Sequence, residues 1–407
     1  MIREFWVENF LSIKERQTLN FETTKSNEDE WASVDFGGGK RINKLAIFYG
    51  ANASGKSNIL KALVNVFEIL FYPFNNKSEK VNSKRPFVLC ADKPTQMHIS
   101  FYANHIRYDY KVSYTSEHII QEVLEWFPNG SKSLFYERNF ISEDSQAAIK
   151  FGQSLGLSAK TKDIFLQNTF NNHSVLSCFG KKSFEADAKP IANLYNWIAR
   201  YIHRLDNPDF SLDDLLKQVL ENENTKRFFI QMLGKADFNI VDFHAHTANE
   251  NDEQTKIFFD CKAGDAIFSL GLDEQSQGTK KFLSNLSTLY YAISNHHIYF
   301  IDEIDSELHD DLLLYFLNVF LMNSKESQLI FTSQETSLLN EDLLNTHRDF
   351  VFFAEKNRDG AYSEYTRADE FGLHKNLSLY KSYRNGRLGA IPQLGSPLLY
   401  LKNDEKD

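Results

Sequence analysis

The 407-residue sequence has few of the residues that cross-link or interrupt a chain, with three cysteines and eight prolines. Cys90, Cys178 and Cys261 lie far apart and form no CxxC pair, which argues against a disulfide framework or a thiolate zinc site. The most apolar stretches, 62–73 and 282–301, are too short or too interrupted by polar residues to span a bilayer. No basic segment followed by an apolar run opens the chain. We therefore expect a cytoplasmic protein with no membrane segment.

Positive charge is also scarce, because 45 Lys and Arg residues face 55 Asp and Glu residues for a net charge of −10. A protein that coats nucleic acid by bulk charge is not expected, although a local basic face remains open. The 42% hydrophobic content, with 35 Phe residues, excludes a disordered chain. The length is sufficient for one large domain or two ordinary ones.

Apolar runs and their spacing predict an α/β protein. A short apolar strand is predicted at 44–49, and helical spacing follows at 57–70. Alternation over 96–126 predicts an antiparallel hairpin or meander. A helix start at Ser211 and an apolar face that continues to Met232 predict one helix that ends at Gly234. Three later runs, centred on 297–301, 328–332 and 350–354, are separated by helix-length segments and predict buried parallel strands. This alternation of strand and helix is typical of α/β folds.

The segment Gly-Ala-Asn-Ala-Ser-Gly-Lys-Ser at 50–57 fits the phosphate-binding pattern G-x-x-x-x-G-K-[ST]. Glycines let backbone amides turn around phosphate oxygens, Lys56 brings a cation to the β- and γ-phosphates, and Ser57 offers a hydroxyl to Mg²⁺. The predicted helix adds its positive end. The pattern therefore predicts a nucleotide site, whose binding residues are Gly50, Ala51, Asn52, Ala53, Ser54, Gly55, Lys56, Ser57 and Asn58.

Two further motifs lie downstream of this phosphate-binding loop. An apolar strand delivers Asp302 and Glu303 at its carboxyl end, where Asp302 is expected to hold Mg²⁺ and Glu303 to polarise an attacking water. Between the two motifs, Ser276 and Gly278 begin a predicted helix and form another anion-binding position. Taken alone, a helix cap is the usual interpretation of a serine and glycine there, but the order of the three motifs favours a second phosphate contact.

With these motifs in this order, the chain resembles the ABC/SMC-related AAA-domain ATPases of the RloA/AbiLi type, which are associated with bacterial restriction and phage-defence loci. The resemblance is carried by Asn9-Phe10 and by segments at 236–242, 276–279, 302–309 and 383–392. It implies a P-loop NTPase fold, namely an ABC/SMC-like ATPase head with an N-terminal antiparallel β-lobe and a helical insertion. The domains expected are the N-terminal half of the head at 1–158, the helical insertion at 159–235, the C-terminal half at 236–400 and a loose tail at 401–407.

The resemblance also implies a role for each motif residue. Lys56 and Ser57 would bind phosphate and Mg²⁺, Asp302 would support the metal, and Glu303 would be the catalytic base. Ser276 and Gly278 would contact the nucleotide of a partner subunit, and Asp305 would belong to the D-loop. One residue departs from the pattern, since Gln334 replaces the usual γ-phosphate-sensing His and cannot become cationic. The Q-loop glutamine is left open among Gln96, Gln121, Gln153 and Gln167.

The function implied is an ATP-hydrolysing, Mg²⁺-dependent ATPase that forms a homodimer, or a higher even oligomer, through shared ATP sites. It would regulate a separately encoded effector, expected to be a Toprim-like nuclease, in bacterial anti-phage defence. No nuclease domain is expected after Gln334. Two alternatives remain: a RecF-like DNA-repair ATPase that binds DNA directly, and a slow nucleotide switch or scaffold with little hydrolysis.

Overall fold

A computed structural model describes residues 1–24, 29–73, 76–81, 85–142, 148–181, 186–204, 211–236, 238–247, 255–306, 308–357, 359 and 361–391. The tail predicted at 401–407 lies outside these ranges. So do three residues of the segments that carry the resemblance, Asp237, Glu307 and Pro392.

The strands of the described residues belong to four sheets. In chain order they are β1 Ile2–Glu8, β2 Gln17–Asn20, β3 Ser33–Asp35, β4 Arg41–Asn43, β5 Leu45–Tyr49, β6 Thr95–Ala103, β7 Ile106–Tyr114, β8 Ile119–Phe127, β9 Ser133–Asn139, β10 Ala148–Phe151, β11 Ile202–Arg204, β12 Ile240–Thr247, β13 Thr255–Ala263, β14 Ala266–Gly271, β15 Ile298–Ile301, β16 Gln328–Thr332, β17 Val351–Lys356 and β18 Ser363–Arg367.

The α-helices alternate with the later strands. In chain order they are α1 Lys56–Phe71, α2 Ala159–Asn168, α3 Lys189–Tyr201, α4 Leu212–Leu220, α5 Glu223–Lys235, α6 Gln277–Ser294, α7 Asp310–Asn323, α8 Asp342–Thr346 and α9 Leu379–Arg384. Across the described ranges, none of the helices combines the length and the apolar character needed to cross a membrane.

The central sheet carries the phosphate-binding segment in its middle. Its order is β11-β15-β16-β5-β17-β18, in which the first five strands are parallel and β18 is antiparallel. The strands predicted at 297–301, 328–332 and 350–354 are therefore confirmed as β15, β16 and β17. Because β5 has a parallel neighbour on each side, the loop that follows it opens at the carboxyl edge of the sheet, where α/β proteins bind ligands.

Both faces of the central sheet are covered, and the side chains of β5 show it. Ala46 and Phe48 pack into the core that also contains α1 and the N-terminal antiparallel sheet. Leu45, Ile47 and Tyr49 pack into a second core, together with α6 and α7. This two-sided burial explains why the strand is a continuous apolar run with no polar alternation.

The N-terminal lobe is a seven-stranded antiparallel sheet in the order β10-β9-β8-β7-β6-β1-β2. The antiparallel pattern predicted at 96–126 corresponds to β6, β7 and β8, which pair through long registers. A fully buried ion pair, Arg138 with Glu122, ties this sheet to the segment before α3, because Glu122 also accepts from the Val175 amide at 2.8 Å. The predicted α/β fold with an N-terminal antiparallel lobe is confirmed.

The segment predicted as a helical insertion contains α2 to α5, with two differences from expectation. The single helix predicted from Ser211 to Gly234 is wrong, since α4 ends at Leu220 and α5 begins at Glu223. The Asn222 side chain accepts from the amides of Asn224 and Thr225, and this N-cap starts a new helix where the apolar pattern alone predicts continuation. Gly234, expected to end the helix, lies inside α5, which continues to Lys235. The segment also contributes β11, an edge strand of the central sheet.

Candidate functional site

The phosphate-binding loop connects β5 to α1, as the motif predicts. Gly50 has φ +156° and Gly55 has φ +106°, and Gly55 is the N-cap of α1 in the left-handed region. A Cβ on Gly50 would collide with the Ala354 carbonyl, and a Cβ on Gly55 would overlap the Ser363 hydroxyl. Both positions therefore require glycine on conformational and steric grounds.

Lys56 is the first residue of α1, and its ammonium lies within the loop. Its Nζ donates to the Gly50 carbonyl at 2.7 Å and to the Ala51 carbonyl at 3.2 Å. Burial lowers the pKa of Lys56, while Glu303, Asp302 and Asp305 act to raise it. The three carboxylates therefore lie close enough to Lys56 to influence its charge.

The polar side chains of the loop and of the first turn of α1 differ in their surroundings. Ser54 is buried, and within the described part of the chain its Oγ has no hydrogen-bond partner. Ser57 lies half-buried in the first turn of α1. Asn58, the next residue, donates from Nδ2 to the Ser12 Oγ at 2.8 Å, so its side chain is engaged with the N-terminal lobe.

Asp302 and Glu303 follow β15 and are held by Thr332, the last residue of the neighbouring strand β16. The Thr332 hydroxyl donates to Asp302 Oδ1 at 2.6 Å and accepts from the Glu303 amide at 2.8 Å. Glu303 has φ +51°, a left-handed conformation that is costly for a residue with a long side chain. One buried hydroxyl therefore fixes both acidic residues at the carboxyl edge of the sheet.

Gln334 and Asp305 complete this group of residues. The Gln334 side chain donates from Nε2 to Glu303 Oε1 at 2.6 Å. Asp305 Oδ2 accepts from the Gln334 amide at 2.8 Å, from the Glu335 amide at 2.7 Å and from the Ser333 hydroxyl at 3.1 Å. The segment after β16 is thus attached to the turn that carries the two acids.

A pocket of about 950 Å³ opens beside the loop. It is bounded by Gly50 to Asn52 and Ser54 of the loop, by Gln334 and Thr336, by the end of β17, and by the segment that follows α9. A volume of this size matches typical small-molecule sites, and it lies at the carboxyl edge of three parallel strands.

The predicted signature residues lie elsewhere. Ser276 is the exposed N-cap of α6, and its Oγ accepts from the Thr279 amide at 3.1 Å. Gly278 lies in the first turn of the same helix, and neither residue lines the pocket beside the loop. Lys56, Ser57, Asp302 and Glu303 do not line this pocket either. Among the described residues, no hydrogen bond joins Ser276 to the phosphate-binding loop, since its hydroxyl pairs with Thr279. The four glutamines left open for the Q-loop do not line this pocket either.

The residues present fit a magnesium nucleotide. The loop supplies a buried hydroxyl at Ser54 that has no partner among the described residues, and backbone turns at Gly50 and Gly55 that only glycine fits. Ser57 and Asp302 offer oxygen ligands, the type that Mg²⁺ prefers when phosphates and waters complete its shell. Among the described residues no cluster of three His, Cys, Asp or Glu side chains forms a metal site that is independent of a nucleotide.

Sequence reasoning missed several residues that shape the site. Thr332 is visible only as a polar residue at the end of a buried run. Ser363 and Tyr365 alternate on β18 and lie against Gly55. The Tyr365 hydroxyl donates to the Gly55 carbonyl at 2.7 Å, and the Ser363 hydroxyl occupies the space that a Cβ on Gly55 would need. Their strand is short and distant in sequence, so no local pattern connects it with the loop.

Comparisons with known proteins give one family and several similar folds. Residues 45–340 match the family described as "AAA domain, putative AbiEii toxin, Type IV TA system". Comparison with curated proteins finds no match. Among solved structures, the SMC head bound to the C-winged helix domain of ScpA is 15% identical with a TM-score of 0.44, and the alignment covers 94% of this chain and 99% of that one.

Two further SMC heads resemble the chain to a similar degree. The SMC head domain from Thermotoga maritima is 13% identical with a TM-score of 0.43, covering 90% of this chain and 98% of that one. The Smc head from Pyrococcus furiosus with an extended coiled coil, bound to the C-terminal domain of ScpA, is 14% identical with a TM-score of 0.39. That alignment covers 94% of this chain and 98% of the other.

Proposed function

This chain belongs to the AAA-domain family that matches residues 45–340, and on that premise we propose that it binds and hydrolyses ATP. The single observation that carries the proposal is the hydrogen-bonded connection between two adjacent elements of the central sheet. The Thr332 hydroxyl on β16 fixes Asp302 and Glu303 after β15, while β5, on the other side of β16, leads into the loop that holds Lys56.

We assign the chemistry to the residues as follows. The backbone of the loop and the Lys56 ammonium bind the phosphates, and Ser57 and Asp302 hold Mg²⁺, which supplies charge neutralisation when bound. Glu303 accepts a proton from the attacking water as general base. Gln334 orients the Glu303 carboxylate through the 2.6 Å hydrogen bond between the two side chains.

Nucleotide binding is the first step to test. Wild-type protein is expected to bind Mg-ATP in isothermal titration calorimetry, and Lys56→Ala is expected to lose most of that affinity. Lys61→Ala is a matched control, because Lys61 is an exposed lysine further along α1. The assignment of the loop is wrong if Lys56→Ala binds ATP as tightly as the control does.

We propose that two copies share their nucleotide sites. The support is the position of Ser276, an exposed helix N-cap outside the pocket of its own chain, because the start of a helix is a favourable place for an anion. In a dimer, this helix start would contact the phosphates bound by the other copy. Asp305, which binds the Ser333–Glu335 segment, would transmit the nucleotide state between the two acids and that segment.

We further propose that the ATPase cycle regulates a separately encoded effector in anti-phage defence. The family description, with its reference to a toxin and a type IV toxin–antitoxin system, supports a role in such a system. The test is co-purification of the chain with the product of an adjacent gene, with and without ATP. A complex that forms in one nucleotide state supports the proposal, whereas salt-sensitive DNA binding by the chain alone would favour a DNA-repair role.

A second candidate function is a slow nucleotide switch. It is favoured by the hydrogen bond from Gln334 to Glu303, the proposed base. Gln334 is neutral and cannot become cationic. In that case the bound state, with little turnover, would be the signal. Multiple-turnover phosphate release would exclude it.

A further inference from the structure

The C-terminal motif at 383–391 is not used by the proposed mechanism, yet it contacts the phosphate-binding loop directly. The Ala390 carbonyl accepts from the Ala51 amide at 2.8 Å and from the Tyr383 hydroxyl at 3.1 Å. Ala390 is buried with φ +59°, and Gly389 at φ +60° packs against the Glu355 carboxylate, where a Cβ would not fit. This strained, closely packed turn is therefore a built part of the loop's surroundings.

The same motif places an uncommitted cation at the pocket. Arg384, the last residue of α9, lines the pocket together with Ala51 and Asn52. Within the described part of the chain, its guanidinium has neither a carboxylate nor a carbonyl partner. The other charged residues of the lining are Glu355 and Lys356, which offset each other, so Arg384 leaves the pocket with a net positive charge.

Gln334 lines the same pocket and is neutral. Its side-chain amide already donates to Glu303, and a glutamine cannot supply positive charge to a terminal phosphate. Arg384, which lines the same pocket, can supply that positive charge. A guanidinium is suited to this task because its planar fork of donors matches phosphate oxygens and stays charged at any physiological pH.

We propose that Arg384 contacts the terminal phosphate of the bound nucleotide and so distinguishes ATP from ADP, with the turn at 383–391 positioned against the loop by the Ala390–Ala51 hydrogen bond. The proposal rests on the proposed function, because it needs a nucleotide in the loop. It assigns a ligand-binding role to a segment outside the part of the chain that the family match covers.

The test compares affinities for ATP and ADP by competition against a fluorescent ATP analogue in the presence of Mg²⁺. Arg384→Gln is expected to weaken ATP binding roughly tenfold and ADP binding less than twofold, the scale of one charge-assisted hydrogen bond. Arg384→Lys is expected to recover part of the ATP preference. Arg387→Gln is the matched control, since Arg387 is an exposed arginine of the same turn that does not line the pocket.

Each outcome decides the proposal. An unchanged ratio of ATP to ADP affinity in Arg384→Gln, or an equal loss in Arg387→Gln, would overturn it, as would a selective loss found only in Lys356→Gln. Circular dichroism of each variant excludes misfolding as the cause of a loss. If wild-type protein binds no ATP, the proposed function fails along with the inference, whereas wild-type binding with an unaltered Arg384→Gln refutes the inference alone.

Discussion

Thr332 shows how a single hydroxyl can position two acidic groups. It is fully buried, and it both donates to Asp302 and accepts from the Glu303 amide. The left-handed backbone at Glu303 is sustained by this contact and by the hydrogen bond from the Ile304 amide to the Thr332 carbonyl at 3.3 Å. In the proposed mechanism, Thr332 therefore positions the two acids and takes no part in the proton transfer itself.

Thr332→Val tests this positioning role, because valine keeps the shape and removes the hydroxyl. We expect a loss of about 1–3 kcal/mol in the free energy of unfolding, since the partly buried hydrogen bond from the Glu303 amide loses its acceptor. We also expect turnover to fall roughly ten- to hundredfold through misplacement of the acids, with ATP affinity little changed. Urea denaturation and phosphate release measure the two effects.

Thr366→Val, a half-buried threonine on β18, is the control for a general cost of losing a hydroxyl. If Thr332→Val matched this control in both stability and turnover, the bridging hydroxyl would have no role. A fall in turnover with unchanged ATP affinity indicates that the acids are misplaced, whereas a loss of both indicates that the whole site is disrupted.

At this scale, the sequence predicts residues that belong to a motif and misses those that support them. Lys56, Asp302 and Glu303 are visible because their chemistry requires fixed spacing or a position at the end of a strand. Thr332 and Tyr365 meet the motif residues only through the fold, across long sequence separations. The role of each predicted site residue stays a prediction until the variants are measured.

Among the elements, the junction of β5 and α1 is held by β18. Ser363 and Tyr365 point from this edge strand at Gly55, which sits at φ +106°. Gly55→Ala would add both backbone strain and a steric conflict, with a combined cost of roughly 2–5 kcal/mol. We expect this variant to lose nucleotide binding and to unfold at lower urea concentration.

Gly130→Ala separates the two contributions. Gly130 has φ +75° in the turn between β8 and β9, and a Cβ there meets nothing within 4 Å. It should therefore cost only the strain, about 1–2 kcal/mol, and leave ATP binding intact. Equal losses of stability in the two variants would show that β18 does not crowd the loop.

The end of α8 carries a second feature with a measurable consequence, the buried ring of His347. It stacks on Phe350 with 4.9 Å between ring centroids and meets the edge of Trp31 at 4.9 Å. Burial lowers the pKa of His347 below its ordinary 6.5, although Asp349 and Asp29 act to raise it. The native protein thus holds this ring neutral at a pH where the unfolded chain protonates it.

This shift predicts a dependence of stability on pH. Below pH 6.5 the unfolded chain binds the extra proton, so the free energy of unfolding falls with pH until the lowered native pKa is reached. His347→Phe keeps a stacked ring and removes the titration. We expect wild type to lose more stability than His347→Phe between pH 7.5 and 5.5 in urea denaturation, and parallel curves would contradict the assignment.

Elements are the part of the fold that the sequence predicts best, and their boundaries show its limit. The strands β5, β15, β16 and β17 each contain an uninterrupted apolar run, and helix-length segments separate the last three. The break between α4 and α5 is missed because the apolar face continues across it, while Asn222 caps the second helix locally. An apolar face indicates which side is buried, but it does not indicate that the backbone is continuous.

For the whole molecule, the arrangement of the segment at 159–235 could not be predicted from its pattern. Trp197 and Ile198 of α3 pack into the core on the α1 side, whereas Leu216 and Phe229 pack into the core on the opposite side. The segment therefore covers both faces of the central sheet and adds β11 to its edge. Such packing depends on contacts between residues that are distant in sequence, and the helical spacing of apolar residues does not predict these contacts.

Dimerisation around ATP is the prediction that belongs to the whole molecule. Glu303→Gln should bind ATP and accumulate as a dimer in sedimentation velocity, and addition of Ser276→Arg should keep the double variant monomeric. Ser284→Arg, an exposed serine about two turns further along α6, is the control and should leave the dimer intact. If the double variant with Ser276→Arg still dimerised, the start of α6 would not be part of the dimer interface.

The measurement that tests the central claim most directly is phosphate release over many turnovers by wild type and by Glu303→Gln, both shown to bind Mg-ATP. Glu370→Gln, an exposed glutamate outside the site, is the control. We predict repeated turnover by wild type and the control, and a rate lower by roughly a hundredfold or more in Glu303→Gln, the contribution of a general base. Wild-type protein that binds ATP but releases no phosphate beyond one equivalent, or a Glu303→Gln variant with wild-type turnover, would contradict the account.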